Sequence, residues 1–99
     1  MALLVKKFGG TSVDNIEKIQ AIANNICKSK EAGNDIIIVV SAMGNTTNHL
    51  NQLAESISKN PNSRELDMLL STGEQVTIAL VAMQLNEYGI PAISMTGSQ

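Results

Sequence analysis

Apolar residues along this chain fall into two patterns: short continuous runs, and stripes spaced three or four apart. The run Ala2 to Val5 predicts a short buried strand over residues 2–7. From there Val13, Ile16, Ile19, Ile22, Ala23, Ile26 and Cys27 mark one face of a helix. Ser12 is placed to cap its start, and Gly33 to end it in a left-handed conformation. Cys27 lies on the apolar stripe and reads as a core residue. Ile36-Ile37-Ile38-Val39-Val40 follows without alternation, which predicts a strand covered on both faces, as in a parallel sheet.

Beyond that strand, Ser41-Ala42-Met43-Gly44-Asn45-Thr46-Thr47 is a small polar loop. Leu50, Leu53, Ala54 and Ile57 restore helical spacing up to Lys59, and Asn60-Pro61-Asn62 breaks it. A third helical stretch is expected from Ser63, with Asn62 and Glu65 set as a capping box and Leu66, Leu69 and Leu70 on its apolar face. Ser71-Thr72-Gly73 is expected to interrupt it, since glycine costs about 1 kcal/mol against alanine inside a helix. Val76, Ala79, Leu80 and Met83 resume the pattern as far as Tyr88-Gly89, and Pro91-Ala92-Ile93-Ser94-Met95 reads as a third short strand. The order β-α-β-α-α-β predicts an α/β fold: a parallel sheet with right-handed crossovers and helices on both faces. Three such strands rarely complete a doubly wound sheet. The chain is therefore expected to be the N-terminal piece of a larger protein.

Composition narrows the function. The chain has 99 residues with 43% hydrophobic, 16% charged and a net charge of −2, which suits one small globular domain rather than a disordered segment. It has no basic excess for a nucleic-acid backbone, and 2% aromatics leave no stacking platform for single strands. No uninterrupted apolar run nears the roughly 20 residues of a membrane span. Partners are therefore expected to include neither nucleic acid nor membrane. One cysteine cannot form an internal disulfide, which fits a reducing, cytoplasmic setting.

The chemistry concentrates at Lys6-Lys7-Phe8-Gly9-Gly10-Thr11-Ser12-Val13. A lysine ends a strand, two glycines turn the chain, and two hydroxyls open a helix. That arrangement suits a phosphate: glycines allow close backbone approach, helix-start N–H groups point at the anion, and lysine adds charge. It is neither a P-loop, whose lysine follows its glycines, nor a GxGxxG dinucleotide turn. Adjacent strand residues face opposite sides, so at most one of Lys6 and Lys7 faces such a site, and the pattern alone does not choose between them. Ser41 and Thr47 are equally readable as turn formers, and Glu74 as a residue favouring a helix start after Gly73. His49 reads as solvated or capping rather than basic in catalysis. No His/Cys/Asp grouping has metal-ligand spacing.

Taken together, three segments resemble the aspartokinases of the amino-acid kinase superfamily. They are Val5–Val13, then Val39-Val40-Ser41-Ala42-Met43-Gly44-Asn45-Thr46-Thr47-Asn48, then Leu69-Leu70-Ser71-Thr72-Gly73-Glu74-Gln75 with Ala79-Leu80. The ending Ser94-Met95-Thr96-Gly97-Ser98-Gln99 is similar too, and the likeness runs over essentially the whole chain. Aspartokinases are several times longer. The resemblance therefore implies that residues 1–99 are the N-terminal portion of an amino-acid kinase catalytic domain, without its remainder or the regulatory ACT domains.

The resemblance assigns roles residue by residue. Lys7 corresponds to the catalytic lysine on the ATP phosphates. Phe8, Gly9 and Gly10 continue the nucleotide loop. Ser41 and Thr47 correspond to hydroxyls at the nucleotide and aspartate sites, and Glu74 to the glutamate that holds the amino acid. ATP and L-aspartate would be the substrates, with Mg2+ carried mainly by the nucleotide, and the full-length protein would be a homo-oligomer. Two rival readings stay open. One is another superfamily member acting on a different carboxylate or phosphate. The other is a noncatalytic α/β module that binds a nucleotide or a protein partner.

Overall fold

The computed structural model describes residues 2–95. Strand β1, Leu3–Phe8, lies parallel to β2, Asp35–Val40, with Leu3 opposite Asp35 and Phe8 opposite Val40. Helix α1, Ile16–Glu31, makes the crossover between them, and α2, Thr46–Ile57, and α3, Ser63–Glu87, follow. The α/β class and the parallel pairing are as the apolar runs predict.

Alternation along the strands divides the sheet into two faces. Phe8, Ile36, Ile38 and Val40 turn toward α1 and α3, where Val13, Ile19, Ile22, Ala23, Ile26, Val81 and Leu85 complete one core. The opposite face carries Leu3, Val5, Ile37 and Val39, which are 64%, 66%, 51% and 45% exposed. The continuous run in β2 predicts cover on both sides; within the described residues the helices cover one. Cys27 is half-buried at the edge of the stripe.

Several local details depart from the sequence reading. Ser12 does not cap α1: its N–H bonds the Gly9 carbonyl at 3.1 Å, closing a single 3-10 turn over Gly10–Val13. Asn15 caps α1 instead, its Oδ1 accepting the Lys18 N–H at 2.9 Å. A side-chain acceptor reaches the third residue of the helix, and Asn15 is the residue three positions before Lys18. Gly33 stops α1 with φ +93°, a conformation that β-carbon crowding disfavours in other residues. At α3, Asn62 caps as expected, its Oδ1 accepting from the Arg64 and Glu65 N–H groups, but the Glu65 carboxylate accepts from the Arg64 guanidinium at 2.7 Å instead of closing the capping box.

Helix α3 is continuous through Ser71-Thr72-Gly73, contrary to the expected interruption. The hydroxyls of Ser71 and Thr72 donate to the carbonyls of Met68 and Leu69 at 2.8 and 2.7 Å, so neither competes for the helix's own donors. Gly73 is buried where α3 meets the loop after β2, and packing there outweighs its weak helix propensity. By length and composition α3 could cross a membrane. In this fold it packs against α1 and α2, with Thr77, Val81 and Leu85 buried, while Met68, Val76 and Met83 stay exposed.

Pro91–Met95 forms no strand. A strand needs a neighbouring ladder, and here the side chain of Asn86 takes that role for one residue. Its Oδ1 accepts the Ala92 N–H at 2.9 Å and its Nδ2 donates to the Ala92 carbonyl at 3.5 Å. Thr96 to Gln99, where the fourth similar segment ends, lie outside the described residues.

Candidate active site

Parallel strands bring both of their following loops to the same end of the sheet, the position where open α/β folds hold their ligands. The Ser41 N–H donates to the Phe8 carbonyl at 3.1 Å, extending the ladder one step past Val40. This sets Gly9 beside Ser41: a β-carbon built on Gly9 would lie 3.6 Å from Ser41 Oγ. The glycine loop and the Ser41–Thr47 loop are therefore in contact. Ser41 is half-buried, its hydroxyl 3.4 Å from the Ala42 carbonyl, a weak bond that leaves it available to a ligand.

The two lysines separate cleanly. Lys6 Nζ donates to Asn25 Oδ1 at 2.9 Å and Ser29 Oγ at 2.6 Å, which ties it to α1. Lys7 is exposed on the other face and makes no side-chain hydrogen bond among the described residues. It lies near the end of β1, just before the glycine loop, with its side chain on the open face of the sheet. The expected run from Gly9-Gly10 straight into a long helix is not found. The donors following the glycines belong to the 3-10 turn, whose dipole is slight compared with that of α1.

On the far side of the loop, Gly44 adopts φ +45°, and a β-carbon there would meet the Asp14 carbonyl at 3.1 Å. Thr46 opens α2, with its N–H on the Met43 carbonyl at 2.9 Å. Asn45 precedes it without a side-chain cap, so the first turn of α2, including exposed Thr47, keeps backbone donors unpaired by any side chain. Gly73 of α3 faces the same loop. A β-carbon on it would lie 3.0 Å from both Ala42 Cβ and Thr46 Cγ2. Glu74, the next residue, is exposed and lies inside the continuous helix rather than at a restart. A helix-start role for its carboxylate is thereby removed.

The structure thus brings Phe8, Gly9 and Ser41 into one place, with Lys7 leading into it, and sets Thr47 and Glu74 next to residues that touch each other. His49 is exposed in the first turns of α2, with its N–H on the Asn45 carbonyl. Sequence reasoning takes Gly73 as a helix breaker and not as part of the site; a glycine inside an otherwise helical pattern is the signal that could have marked it. Among the described residues no group of three or more His, Cys, Asp or Glu could hold a metal ion.

The profile of the amino acid kinase family matches residues 2–99, and the chain belongs to that family. It is 58% identical over its full length to an aspartokinase of Geobacillus stearothermophilus and 54% identical to aspartokinase 2 of Bacillus subtilis. It spans 24% of the length of each of these relatives. Among solved structures it is similar to an aspartate kinase from Synechocystis, at TM-score 0.94 and 57% identity over 98% of this chain and 17% of that one.

Proposed function

We propose that residues 1–99 form the N-terminal part of a catalytic domain that transfers the γ-phosphoryl group of ATP to the side-chain carboxylate of L-aspartate. The product is the acyl phosphate 4-phospho-L-aspartate, the entry to lysine, threonine and methionine synthesis in the cytoplasm. The observation that carries this reading is the Gly9–Ser41 approach at the strand ends, with Lys7 exposed and Lys6 engaged elsewhere. The likeness to aspartokinases over the whole chain supports aspartate as the acceptor.

The chemistry asks for charge and position more than for a base. The attacking carboxylate is already ionised at neutral pH, so the difficulty is bringing an anion up to a polyanion. Lys7 supplies positive charge to the phosphates of the magnesium–ATP substrate. Phe8, Gly9 and Gly10 let backbone donors approach closely. Ser41 and Thr47 donate hydrogen bonds without adding negative charge, and the uncapped first turn of α2 favours an anion beside them. Glu74 pairs with the substrate's ammonium group. The full-length protein works as a homo-oligomer.

A coupled assay with ATP and aspartate tests this on the protein expressed from its full natural reading frame. Turnover with aspartate supports the reading. Turnover only with another carboxylate, or nucleotide binding without turnover, overturns it.

A further inference from the structure

We infer that Gly73 is a positioning residue: its missing side chain lets α3 seat against the loop after β2 and so fixes the spacing between Glu74 and Thr47. This rests on the substrate roles proposed above for those two residues.

The geometry is specific. A β-carbon at position 73 would stand 3.0 Å from Ala42 Cβ, 3.0 Å from Thr46 Cγ2 and 3.5 Å from Leu50 Cδ1. Carbon pairs rest at roughly 3.5–4.0 Å, so the first two contacts must open by several tenths of an ångström. Thr46 can turn its methyl aside. Ala42 cannot, because its β-carbon is fixed to the backbone. The loop itself must therefore move away from α3.

What moves is the segment bearing Ser41 at one end and Thr47 at the other. Its other side is already held, since Gly44 lies against the Asp14 carbonyl and Ser41 is bonded to Phe8. Displacement at Ala42 and Thr46 is therefore taken up at the start of α2, beside Thr47. Glu74 moves with α3 in the opposite sense. The amino-acid side of the site widens while the Lys7–Gly9 side stays anchored through the strand ladder.

The test uses the full-length protein with Gly73→Ala, Gly73→Ala with Ala42→Gly and Thr46→Ser, and the Ala42→Gly, Thr46→Ser pair alone. A misplacement near 1 Å costs about 100-fold in rate, so a shift of half that is expected to lower kcat/KM for aspartate about tenfold, with the KM for aspartate raised. The KM for ATP should stay within about twofold, with the thermal midpoint near wild type. Removing the two opposing methyls should restore aspartate binding in the triple variant. Equal losses toward both substrates, an unchanged KM for aspartate, or no rescue by the paired substitutions would overturn the positioning role. Wild type assayed alongside separates the two levels. An inactive wild type removes the proposed function and this inference with it, whereas an active wild type with an unaffected Gly73→Ala removes this inference alone.

Discussion

Lys6 and Lys7 are sequence neighbours with opposite fates: one is bound to α1 through Asn25 and Ser29, the other is exposed at the mouth of the glycine loop. The period of two in a strand forces this separation. Position along the strand, not charge or residue type, makes them different.

In the full-length protein, Lys7→Ala is therefore expected to lower kcat by about 100-fold or more, the range for removing one group aligned with transition-state charge. Lys6→Ala loses two hydrogen bonds, one part-buried, and should lower stability by about 1 kcal/mol with kcat within a few-fold of wild type. Steady-state rates and thermal midpoints on both variants check this. Equal, mild rate effects would place the phosphate on neither lysine.

Capping gives a prediction that does not depend on function. Asn15 holds the Lys18 N–H, while the Ser12 hydroxyl caps nothing. Asn15→Ala should cost about 1 kcal/mol of stability and Ser12→Ala markedly less, measured by denaturant unfolding. A larger cost at Ser12 would mean that the long helix begins where the glycine turn ends.

Hydrophobic spacing locates both strands and the three helices, but it adds a third strand that does not form and misplaces some ends while finding others, such as Gly33 and Asn62. The stripe from Val13 to Cys27 locates α1, yet the choice between Ser12 and Asn15 as cap depends on four residues closing as a 3-10 turn. Gly73 was judged by propensity, whereas the neighbours that decide its place, Ala42 and Thr46, are brought in by tertiary packing. Pro91–Met95 has strand composition, but composition does not supply a ladder, and Asn86 engages Ala92 instead. Gly9 and Ser41 come together at the strand ends, with Lys7 on the strand that leads there, because strand ends and loops follow directly from the order of elements. Which of the two lysines points away from α1 required knowing the side on which α1 packs.

The open sheet face predicts opposite effects in two contexts. Val5 and Ile37 are paired across β1 and β2 on the face with exposed Leu3 and Val39. The isolated 99-residue chain should bind hydrophobic dyes, self-associate and show no aspartate phosphorylation. Val5→Thr with Ile37→Thr should reduce dye binding there, because threonine keeps the strand and removes apolar surface. In the full-length protein the same pair should be destabilising, by about 1.5–3 kcal/mol for each side chain that the rest of the domain buries. A monodisperse isolated chain that leaves the dye unbound would show that this face needs no cover.

Glu74 separates the two substrates. It is exposed within α3, beside the glycine that meets Ala42 and Thr46, and no helix terminus there gives its charge another use. If its carboxylate pairs with the ammonium group of aspartate, Glu74→Gln keeps the size and removes the charge. Aspartate binding should weaken by about 1.5–3 kcal/mol, the range for a hydrogen bond to a charged group, with ATP affinity nearly unchanged. Glu74→Asp should fail as well, because shortening the side chain by one methylene draws the carboxylate away from its partner while α3 stays fixed against the loop. Separate titrations of aspartate and ATP in the steady state check both variants. A raised KM for ATP with an unaltered KM for aspartate would move Glu74 from the amino acid to the nucleotide and its magnesium.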